Sequence, residues 1–553
     1  MEEAKLSYIK FDPAWGAEPM PPVPEIPLFE LIRQTAYRHP RKIALVSLDR
    51  PVSYREMDEL SDRLAAALAD LGVRPRDRVA TMLPNCAQHV IAFHGIIKAG
   101  AIAVPCSVML KGEELAYILN DAGARVMICL DAFHPLVESI RHRTALEEVI
   151  TVHLEDVSAP GAWVPPVYKV PKEKREGARD FAELLSQYPP QPPAVSLDPR
   201  EDLCLLLYTA GTTGAPKGVM ETHFNVVFNC LSHSHLVGFD YNDVNLQIMP
   251  MFHTSGYMLG LHPFLYKGGT VVLMPLFDPG ELLKLIDRYK VNVLFAPPTL
   301  YVALLNHPDL PRYDLSHFKI AVGCGAPVPP ALQVRWREVT GVDLTNGWGM
   351  TETNSGGIMS LPNRPSPFDA IGLPFGAEVK IVDPEGRTLP RGRVGEIWYR
   401  GPQVAKGYWN KPEETAAAFT PDGWLRTGDA GYISEEGFVY FVERLKELII
   451  TSGYNVSPFE VESVVMQHPA VQEVAVVGTP DPYRGEAVKA FVVLKGEYRG
   501  KVTPEEIMDF CGERMATYKR PRVVEFVEEL PKSSVGKVLR RVLRERERER
   551  AGG

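Results

Sequence analysis

The stretch Tyr208-Thr-Ala-Gly-Thr-Thr-Gly-Ala-Pro-Lys-Gly218 follows directly on an apolar run, Leu203–Leu207. Its eleven residues include three glycines, three threonines and one lysine. Glycine lets backbone N–H groups turn toward one point, threonine adds hydroxyl donors, and Lys217 adds a positive charge. A strand that runs into such a loop is typical of a phosphate site, and the alternative is a Gly/Thr surface hairpin. The pattern is not a Walker A loop, because Lys217 precedes its glycine.

Length and composition indicate an ordinary globular protein with more than one core. The chain has 553 residues, of which 45% are hydrophobic and 23% charged. A net charge of -9 disfavours nucleic-acid binding, so any phosphate must be held by local geometry. The seven cysteines are scattered and never form a C-x-x-C pair, which favours reduced thiols and argues against a zinc site.

The hydropathy of the chain predicts no signal peptide and no transmembrane segment. The N-terminus, Met-Glu-Glu-Ala-Lys, has no apolar core, and no window of the sequence reaches transmembrane length. We therefore expect a cytoplasmic protein. A homodimer and a peripheral membrane contact are both left open.

Helical and strand patterns alternate along most of the chain. Tyr54–Leu71 has an apolar stripe at helical spacing and closes with Gly72, Arg78–Met82 has the pattern of a buried strand, and Ala87–Lys98 that of a helix. The alternation resumes at Thr270 after the phosphate loop. This order predicts parallel sheets covered by helices.

The character of the chain changes after about Ile371. Short strands then alternate with Gly/Pro/Asp turns, which predicts a small β-barrel-like module made of Glu378–Val382, Gly395–Arg400 and Phe438–Val442. An α+β unit follows from Leu448. We therefore predict an α/β fold with a large N-terminal domain, residues 1–445, that holds two parallel-type α/β subdomains and the barrel. A smaller, mobile α+β C-terminal domain, residues 446–553, completes it.

The C-terminal tail, Arg544–Arg550, alternates arginine and glutamate. Like charges then lie four residues apart and opposite charges three apart, so a helix here gains little net support from its own side chains. We expect this helix to fray, and we assign it no chemistry.

Four further motifs carry chemistry. Gly347-Trp-Gly-Met-Thr-Glu-Thr353 offers an aromatic plane for a base, then a hydroxyl and a carboxylate suited to phosphate and Mg²⁺. Trp424-Leu-Arg-Thr-Gly-Asp429 presents a carboxylate suited to the hydroxyls of a ribose. Glu443-Arg-Leu-Lys-Glu447 is a charged junction, and Pro531-Lys-Ser-Ser-Val-Gly-Lys537 presents lysines near the end. For each of the last two the alternative is solvated surface.

The order and spacing of the five motifs resemble the adenylate-forming superfamily. It includes acyl-CoA synthetases, aryl-CoA ligases, firefly-type luciferases and peptide-synthetase adenylation domains. The resemblance extends from about Leu28 to Arg544. It implies ATP and Mg²⁺ as cofactors, coenzyme A as co-substrate, and small-molecule partners rather than nucleic acid.

The resemblance also implies roles for individual residues. The loop Thr209–Lys217 would grip the β- and γ-phosphates of ATP, Thr351 the α-phosphate, and Glu352 the Mg²⁺, while Lys537 would bridge the acyl carboxylate and the α-phosphate. The implied catalytic residues are Thr351, Glu352, Lys537 and His253. Glu352 is the one implied metal ligand. The full cofactor-binding set is Thr209, Gly211, Thr212, Thr213, Gly214, Lys217, Gly325, Ala326, Pro327, Gly347, Trp348, Gly349, Met350, Asp429, Arg444, Lys446 and Gly453.

Within that set, Gly325–Pro327 would line the adenine, Trp348 would stack on it, and Asp429 with Arg444 would hold the ribose. Lys446 matches the family's hinge between the two domains. Gly453 matches the loop that lines the pantetheine channel.

The chain departs from the family pattern at two positions. Ala210 stands where family loops commonly have serine, so one hydroxyl donor to phosphate is missing, and we expect a modest effect. Ile450 stands where luciferase-like and aryl-ligase-like members often carry a lysine.

The acyl pocket should be built from segments that are mainly apolar. An α-amino acid is disfavoured, because a buried ammonium would need a carboxylate partner. A medium- or long-chain fatty acid fits best, with Tyr257 where some long-chain synthetases place an aromatic gate. An aromatic acid is the alternative, because Tyr257 and Tyr301 could stack on a ring. The expected pocket residues are His253, Tyr257, Pro298, Tyr301 and Gly323.

The predicted activity is that of an ATP-dependent acid–CoA ligase. A carboxylic acid would be converted to acyl-AMP with release of pyrophosphate, and the acyl group would then pass to CoA to give acyl-CoA and AMP. The alternatives are a 4-coumarate-like aryl-CoA ligase, a luciferase-like oxygenase, a carrier-protein-loading ligase and a non-catalytic nucleotide-binding protein.

Overall fold

The structure is a computed structural model that describes residues 6–209, 215–451, 454–532 and 538–552. The chain divides into two compact units, and each is described by itself. The larger unit comprises Lys10–Glu378 and Arg400–Leu425, and the smaller comprises Met1–Ile9, Val379–Tyr399 and Arg426–Gly553. The predicted domain boundary between residues 445 and 446 stays a prediction.

The first sheet of the larger unit has seven strands and is parallel except at one edge. Its strands, in spatial order, are Lys217–Thr222, Leu203–Thr209, Ile102–Pro105, Arg78–Met82, Val126–Leu130, Glu148–Val152 and Arg179–Asp180. The helices of this part of the chain are Tyr54–Asp70, Ala87–Lys98, Gly112–Ala122, His134–Arg141 and Phe181–Gln187. The predicted alternation is confirmed here, because parallel neighbours need a crossover and helices supply it.

One helix shows how the sequence sets its own limits. Tyr54–Asp70 begins after Ser53, whose hydroxyl accepts the backbone N–H of Glu56 at 3.1 Å. The predicted apolar stripe of this helix consists of Met57, Leu60, Leu64 and Leu68, of which all but the half-buried Leu60 are buried. The chain turns away at Gly72 with φ +88°, a conformation that favours glycine.

The second sheet of the larger unit has nine strands, parallel in the middle and antiparallel at both edges. In spatial order the strands are Leu373–Pro374, Ile358–Met359, Leu344–Trp348, Ile320–Cys324, Val293–Ala296, Val244–Gln247, Thr270–Leu273, Ile43–Ser47 and Arg50–Ser53. The remaining helices of the unit are Leu28–Arg38, His223–Leu236, Thr254–Met258, His262–Lys267, Pro279–Tyr289, Pro298–Leu305, Pro330–Thr340 and Pro412–Ala418. The core on one side of this sheet centres on the fully buried Trp336 and Tyr301.

The predicted barrel module is a five-stranded sheet, and nearly all of its residues lie in the smaller unit. Its strands, in spatial order, are Tyr8–Lys10, Glu378–Val382, Gly395–Arg400, Leu425–Ile433 and Val439–Arg444. The N-terminal strand was not expected, because the sequence there had no periodic pattern.

The last part of the chain is an α+β unit, as predicted. A long antiparallel hairpin, Val471–Asp481 with Gly485–Leu494, is flanked by Ile449–Thr451, Tyr454–Val456 and Val523–Phe526. Its helices are Pro458–Val465, Pro504–Gly512 and the terminal helix Arg540–Gly552.

The expected fraying of the tail is wrong, because the support for the terminal helix is tertiary. Glu547 is buried and pairs at 2.8 Å with Lys489, a residue of the long hairpin. Lys489 also pairs with Glu525 at 2.7 Å, and Arg546 and Arg550 reach the same carboxylate at 2.7 and 2.9 Å.

Within the described ranges, no helix is both long and apolar enough to cross a bilayer.

Candidate active site

The predicted phosphate loop connects two antiparallel strands of the larger unit. Lys217 pairs with Thr209 and Gly218 with Tyr208, and residues 210–214 lie outside the described residues. The predictions for Gly211, Thr212, Thr213 and Gly214 therefore also lie outside them. The ends of the loop are fixed: Tyr208 donates its hydroxyl to Asp121 at 2.6 Å, and Tyr117 donates to the carbonyl of Pro216 at 3.2 Å.

A tyrosine joins the predicted phosphate lysine to the predicted Mg²⁺ ligand. The hydroxyl of Tyr408 donates to Oε1 of Glu352 at 2.7 Å, and the Lys217 ammonium lies 5.0 Å from the centre of the same ring. Burial, and then the Glu352 carboxylate, raise the pKa of Tyr408 above its usual range, so the hydroxyl stays a donor. Lys217 and Glu352 thus both contact the side chain of Tyr408.

Sequence reasoning missed Tyr408 because its position depends on a distant pairing. Residues 406–409 lie along the strand Lys217–Thr222: Met220 donates to the carbonyl of Gly407 at 2.9 Å, and Trp409 donates to that of Gly218 at 2.8 Å. No local pattern around Tyr408 predicts this contact. The Lys-Gly-Tyr-Trp stretch at 406–409 is the only signal, and it is weak.

Another neighbour of Glu352 that the sequence did not reveal is the acidic residue Glu221. Glu221 is fully buried, and neither of its carboxylate oxygens has a hydrogen-bond partner among the described residues. Burial raises the pKa of Glu221 well above its usual range, and the Glu352 charge raises it further. Burial and the charge of Glu352, the predicted metal ligand, therefore both favour the protonated form of Glu221.

The predicted adenine-site residues follow two adjacent parallel strands. Ile320–Cys324 and Leu344–Trp348 are neighbours in register, with Cys324 opposite Gly347. Gly325–Pro327 and Trp348 therefore lie at the carboxyl ends of neighbouring strands, the edge at which open α/β sheets bind ligands. Gly325 has φ +80° and is exposed, so a side chain there would strain the turn.

Glycines allow the chain to fold closely around the tryptophan. A Cβ on Gly357 would lie 2.7 Å from Cε3 of Trp348, and one on Gly349 would collide with the carbonyl of Ser355. Thr351–Thr353 then forms one 3₁₀ turn that ends at Asn354, whose φ is +57°. Left-handed backbone at a non-glycine residue is costly and is common at functional sites.

The predicted gate residue is held inside the larger unit. Tyr257 is fully buried, and its hydroxyl lies 3.0 Å from Nε2 of His89. Nδ1 of His89 lies 3.1 Å from the carbonyl of Pro84 and donates to it, so Nε2 accepts from Tyr257. Burial lowers the pKa of His89 to about 4, which keeps the ring neutral. The tyrosine ring also lies 4.6 Å from Phe93 and is stacked on His262 at 5.8 Å.

The other predicted pocket residues differ in what they contact. Burial lowers the pKa of His253 to about 4, and its Nε2 is buried with no hydrogen-bond partner in the described part of the chain. Tyr301 donates its hydroxyl to the carbonyls of Leu294 and Val322 at 2.8 and 3.1 Å, within the core around Trp336. The roles of His253, Tyr301, Pro298 and Gly323 in the pocket stay predictions.

The predicted ribose residues lie opposite each other in the smaller unit. Asp429 and Arg444 are paired across antiparallel strands, and Nε of Arg444 lies 3.7 Å from Oδ1 of Asp429. Asp429 is buried, and its N–H donates to the hydroxyl of Thr427 at 3.1 Å. A carboxylate held this way suits two neighbouring hydroxyls, because it accepts but does not donate.

Lys446 follows this pair in the sequence, and its ammonium group has a shifted pKa. Burial, and then the nearby charge of Arg444, lower the pKa of Lys446 to about 8. The predicted pantetheine residue Gly453 and the predicted catalytic Lys537 lie outside the described residues.

No cluster of three or more His, Cys, Asp or Glu side chains arranged for a metal occurs in the described ranges. Glu352, a single hard carboxylate, fits a Mg²⁺ whose other ligands are phosphates and waters.

Comparison with known proteins gives a consistent result. The model of the AMP-binding enzyme family matches residues 32–409, and that of the AMP-binding enzyme C-terminal domain matches residues 460–537. A long-chain-fatty-acid–CoA ligase of Bacillus subtilis (strain 168) is 39% identical over 543 residues, covering 96% of both chains. One of Escherichia coli O6:H1 is 37% identical over 542 residues, covering 94% of both.

A solved structure resembles the whole chain. It is that of the anthranilate CoA ligase AuaEII in complex with anthranoyl-AMP, with a TM-score of 0.88 and 33% identity. The match covers 96% of this chain and 99% of that one.

Proposed function

The chain belongs to the AMP-binding enzyme family and is an AMP-forming acid–CoA ligase, and we propose that it activates medium- or long-chain fatty acids. The observation that carries the proposal is the 39% identity, over 96% of both chains, to a ligase named for long-chain fatty acids. The resemblance inferred from the five motifs is thereby confirmed. Every residue of the predicted charged set is present: Lys217, Glu352, Asp429, Arg444 and Lys537.

The first half-reaction joins the acid to AMP. A carboxylate oxygen attacks the α-phosphorus of ATP, and the bond to pyrophosphate breaks. Two anions must approach, so Lys537 and Thr351 are assigned to neutralise the charge that develops. Bound at Glu352, Mg²⁺ would draw charge from the phosphates. The contact of Tyr408 with Glu352, beside Lys217, supports this placement.

The second half-reaction passes the acyl group to CoA. The thiolate attacks the acyl carbonyl, and AMP leaves. We assign Gly453 to the passage of pantetheine, because a residue without a side chain lets a ligand pass close to the backbone. Lys446 is the proposed pivot about which residues 446–553 turn between the two steps. Asp429 and Arg444 hold the ribose in both.

The pocket residues support an apolar acid. Tyr257, Phe93 and His262 form a buried aromatic group, and burial lowers the pKa of His262 to about 3, so this group carries no charge. Aryl acids are the second candidate substrates, because the structure with TM-score 0.88 is a ligase that acts on an aromatic acid.

Pyrophosphate exchange separates the enzyme from a non-catalytic binder. Acid-dependent exchange of label between ATP and pyrophosphate is expected, with AMP rather than ADP as the product once CoA is added. A panel of C2 to C18 and aryl acids, scored by AMP release, then identifies the substrate. ADP and orthophosphate as the acid-dependent products would overturn the proposal.

Location and assembly are further parts of the proposal. All seven cysteines are unpaired and buried, which suits a reducing cytoplasm. We further propose a homodimer that contacts membranes peripherally, where long-chain acids partition. Sedimentation equilibrium tests the first statement, and co-sedimentation with lipid vesicles tests the second.

A further inference from the structure

One arginine anchors the chain just after the proposed catalytic lysine. Arg540 begins the terminal helix, three residues after Lys537 in the sequence. Its guanidinium makes two hydrogen bonds to Glu462, from Nε to Oε1 at 3.0 Å and from Nη2 to Oε2 at 2.6 Å. This bidentate geometry is the strongest that an arginine forms with a carboxylate.

The same guanidinium also reaches the proposed pivot. Nη1 of Arg540 donates to Oε2 of Glu447 at 3.0 Å, and Glu447 directly follows Lys446. One turn further along the terminal helix, Nη1 of Arg544 donates to the carbonyl of Lys446 at 2.6 Å. The first two turns of this helix are therefore bonded to residues 446 and 447.

These ion pairs are shielded from solvent. The side chains of Arg540, Glu447 and Glu462 are 16%, 16% and 13% exposed. Burial opposes the charge of Arg540, but the carboxylates of Glu462, Glu443 and Glu447 reverse this and raise its pKa. Because the pairs are largely desolvated, removal of the cation would leave buried carboxylates without a compensating charge, which is strongly unfavourable.

We propose that Arg540 is a positioning residue for adenylation: it holds the start of the terminal helix at Glu447 and Glu462, and Lys537 lies three residues before it in the sequence. The inference rests on the proposed function, in which Lys537 neutralises charge at the α-phosphate. Arg540 itself contacts no reacting atom. A displacement of about 1 Å at a charge-neutralising group is enough to lower a rate about a hundred-fold.

The variant Arg540→Lys keeps the positive charge and removes the planar guanidinium group. A lysine cannot bond Glu462 through two nitrogens while a third bonds Glu447. We expect acid-dependent pyrophosphate exchange to fall about tenfold or more. Thioester formation from supplied acyl-adenylate and CoA should stay within about twofold. The matched control is Arg548→Lys, two turns along the same helix and exposed, which should change neither rate.

A double-mutant cycle separates positioning from a structural role. If Arg540 acts through Lys537, Arg540→Lys should lower exchange by less than about twofold when Lys537→Ala is already present. The same loss in both backgrounds, or equal loss in both half-reactions, would overturn the inference.

If Arg540→Lys does not fold by circular dichroism, Glu462→Gln keeps the shape and weakens the same contact. Glu462→Gln should then lower pyrophosphate exchange without lowering thioester formation. It should cause no such loss of exchange when Lys537→Ala is already present. Exchange lost equally with thioester formation would count against the inference here too. No exchange in the unaltered protein would instead overturn the proposed function.

Discussion

The buried Glu221 makes stability depend on pH in a direction that can be calculated. Its pKa is raised in the fold, chiefly by burial, whereas in the unfolded chain it ionises near 4.5. The unfolded state therefore releases a proton that the folded state keeps. It follows that the contribution of Glu221 to stability is fully present at low pH and is lost as the pH rises above about 4.5 toward the folded pKa.

The variant Glu221→Gln has the same shape and cannot ionise. While the folded carboxyl stays protonated, each pH unit costs the unaltered protein about 1.4 kcal/mol relative to the variant. Over two pH units in which the folded carboxyl stays protonated, the difference should grow by about 2.7 kcal/mol. For a unit of roughly 400 residues, this corresponds to about 3 °C in Tm.

Thermal unfolding at pH 5.5, 6.5 and 7.5, with EDTA and without nucleotide, measures this difference. Tm of Glu221→Gln minus Tm of the unaltered protein should rise at each step. Glu338→Gln, at an exposed position of a helix, is the matched control and should give a constant difference. A constant difference for Glu221→Gln as well would mean that Glu221 is charged in the fold, and the reasoning from burial would be refuted.

Three further predictions concern catalysis. Lys537→Ala should lower acyl-adenylate formation about a hundred-fold or more and leave thioester formation from supplied adenylate near normal, whereas Gly453→Trp should do the reverse; equal impairment of one half-reaction by both, in folded protein, would exclude alternation. Tyr257→Ala should change the chain-length profile and leave the KM for ATP nearly fixed, and an unchanged profile would remove Tyr257 from the site. Tyr408→Phe should raise the Mg²⁺ concentration needed for half-maximal exchange, because Glu352 loses the hydroxyl that orients it; an unchanged Mg²⁺ dependence would show that the contact does not matter for the metal.

Local patterns were enough to predict some strands and helices to the residue. Arg78–Met82 and Ala87–Lys98 were predicted with the bounds that the structure has, because a buried strand and a helix each have their own period. The N-terminal strand Tyr8–Lys10 has no such period, and it exists because it pairs with Glu378–Val382. A partner hundreds of residues away leaves no trace in a short window.

The same limit explains what was missed in the site. Tyr408 and His89 each contact a predicted residue that is distant in the sequence. Glu221 is likewise distant in the sequence from Glu352, whose charge raises its pKa. The tail was predicted wrongly for a related reason. Its internal charge spacing is weak, but Lys489 supplies a partner that only the tertiary fold brings within reach.

The burial of all seven cysteines has a practical consequence for labelling. Burial raises the pKa of the thiols of Cys86, Cys106, Cys129 and Cys324 to about 12, and that of Cys511 to about 11. The thiolate is the form that reacts with maleimides, so the native protein should label slowly while it stays folded. A cysteine introduced at an exposed position would react first.

Tyr37 in the larger unit and Tyr483 in the smaller are 73% and 87% exposed. Tyr37→Cys with Tyr483→Cys would carry a donor and an acceptor dye without removal of any native thiol. Energy transfer between the dyes, followed as ATP, acid and CoA are added in turn, would test the proposed rotation about Lys446 in a single molecule.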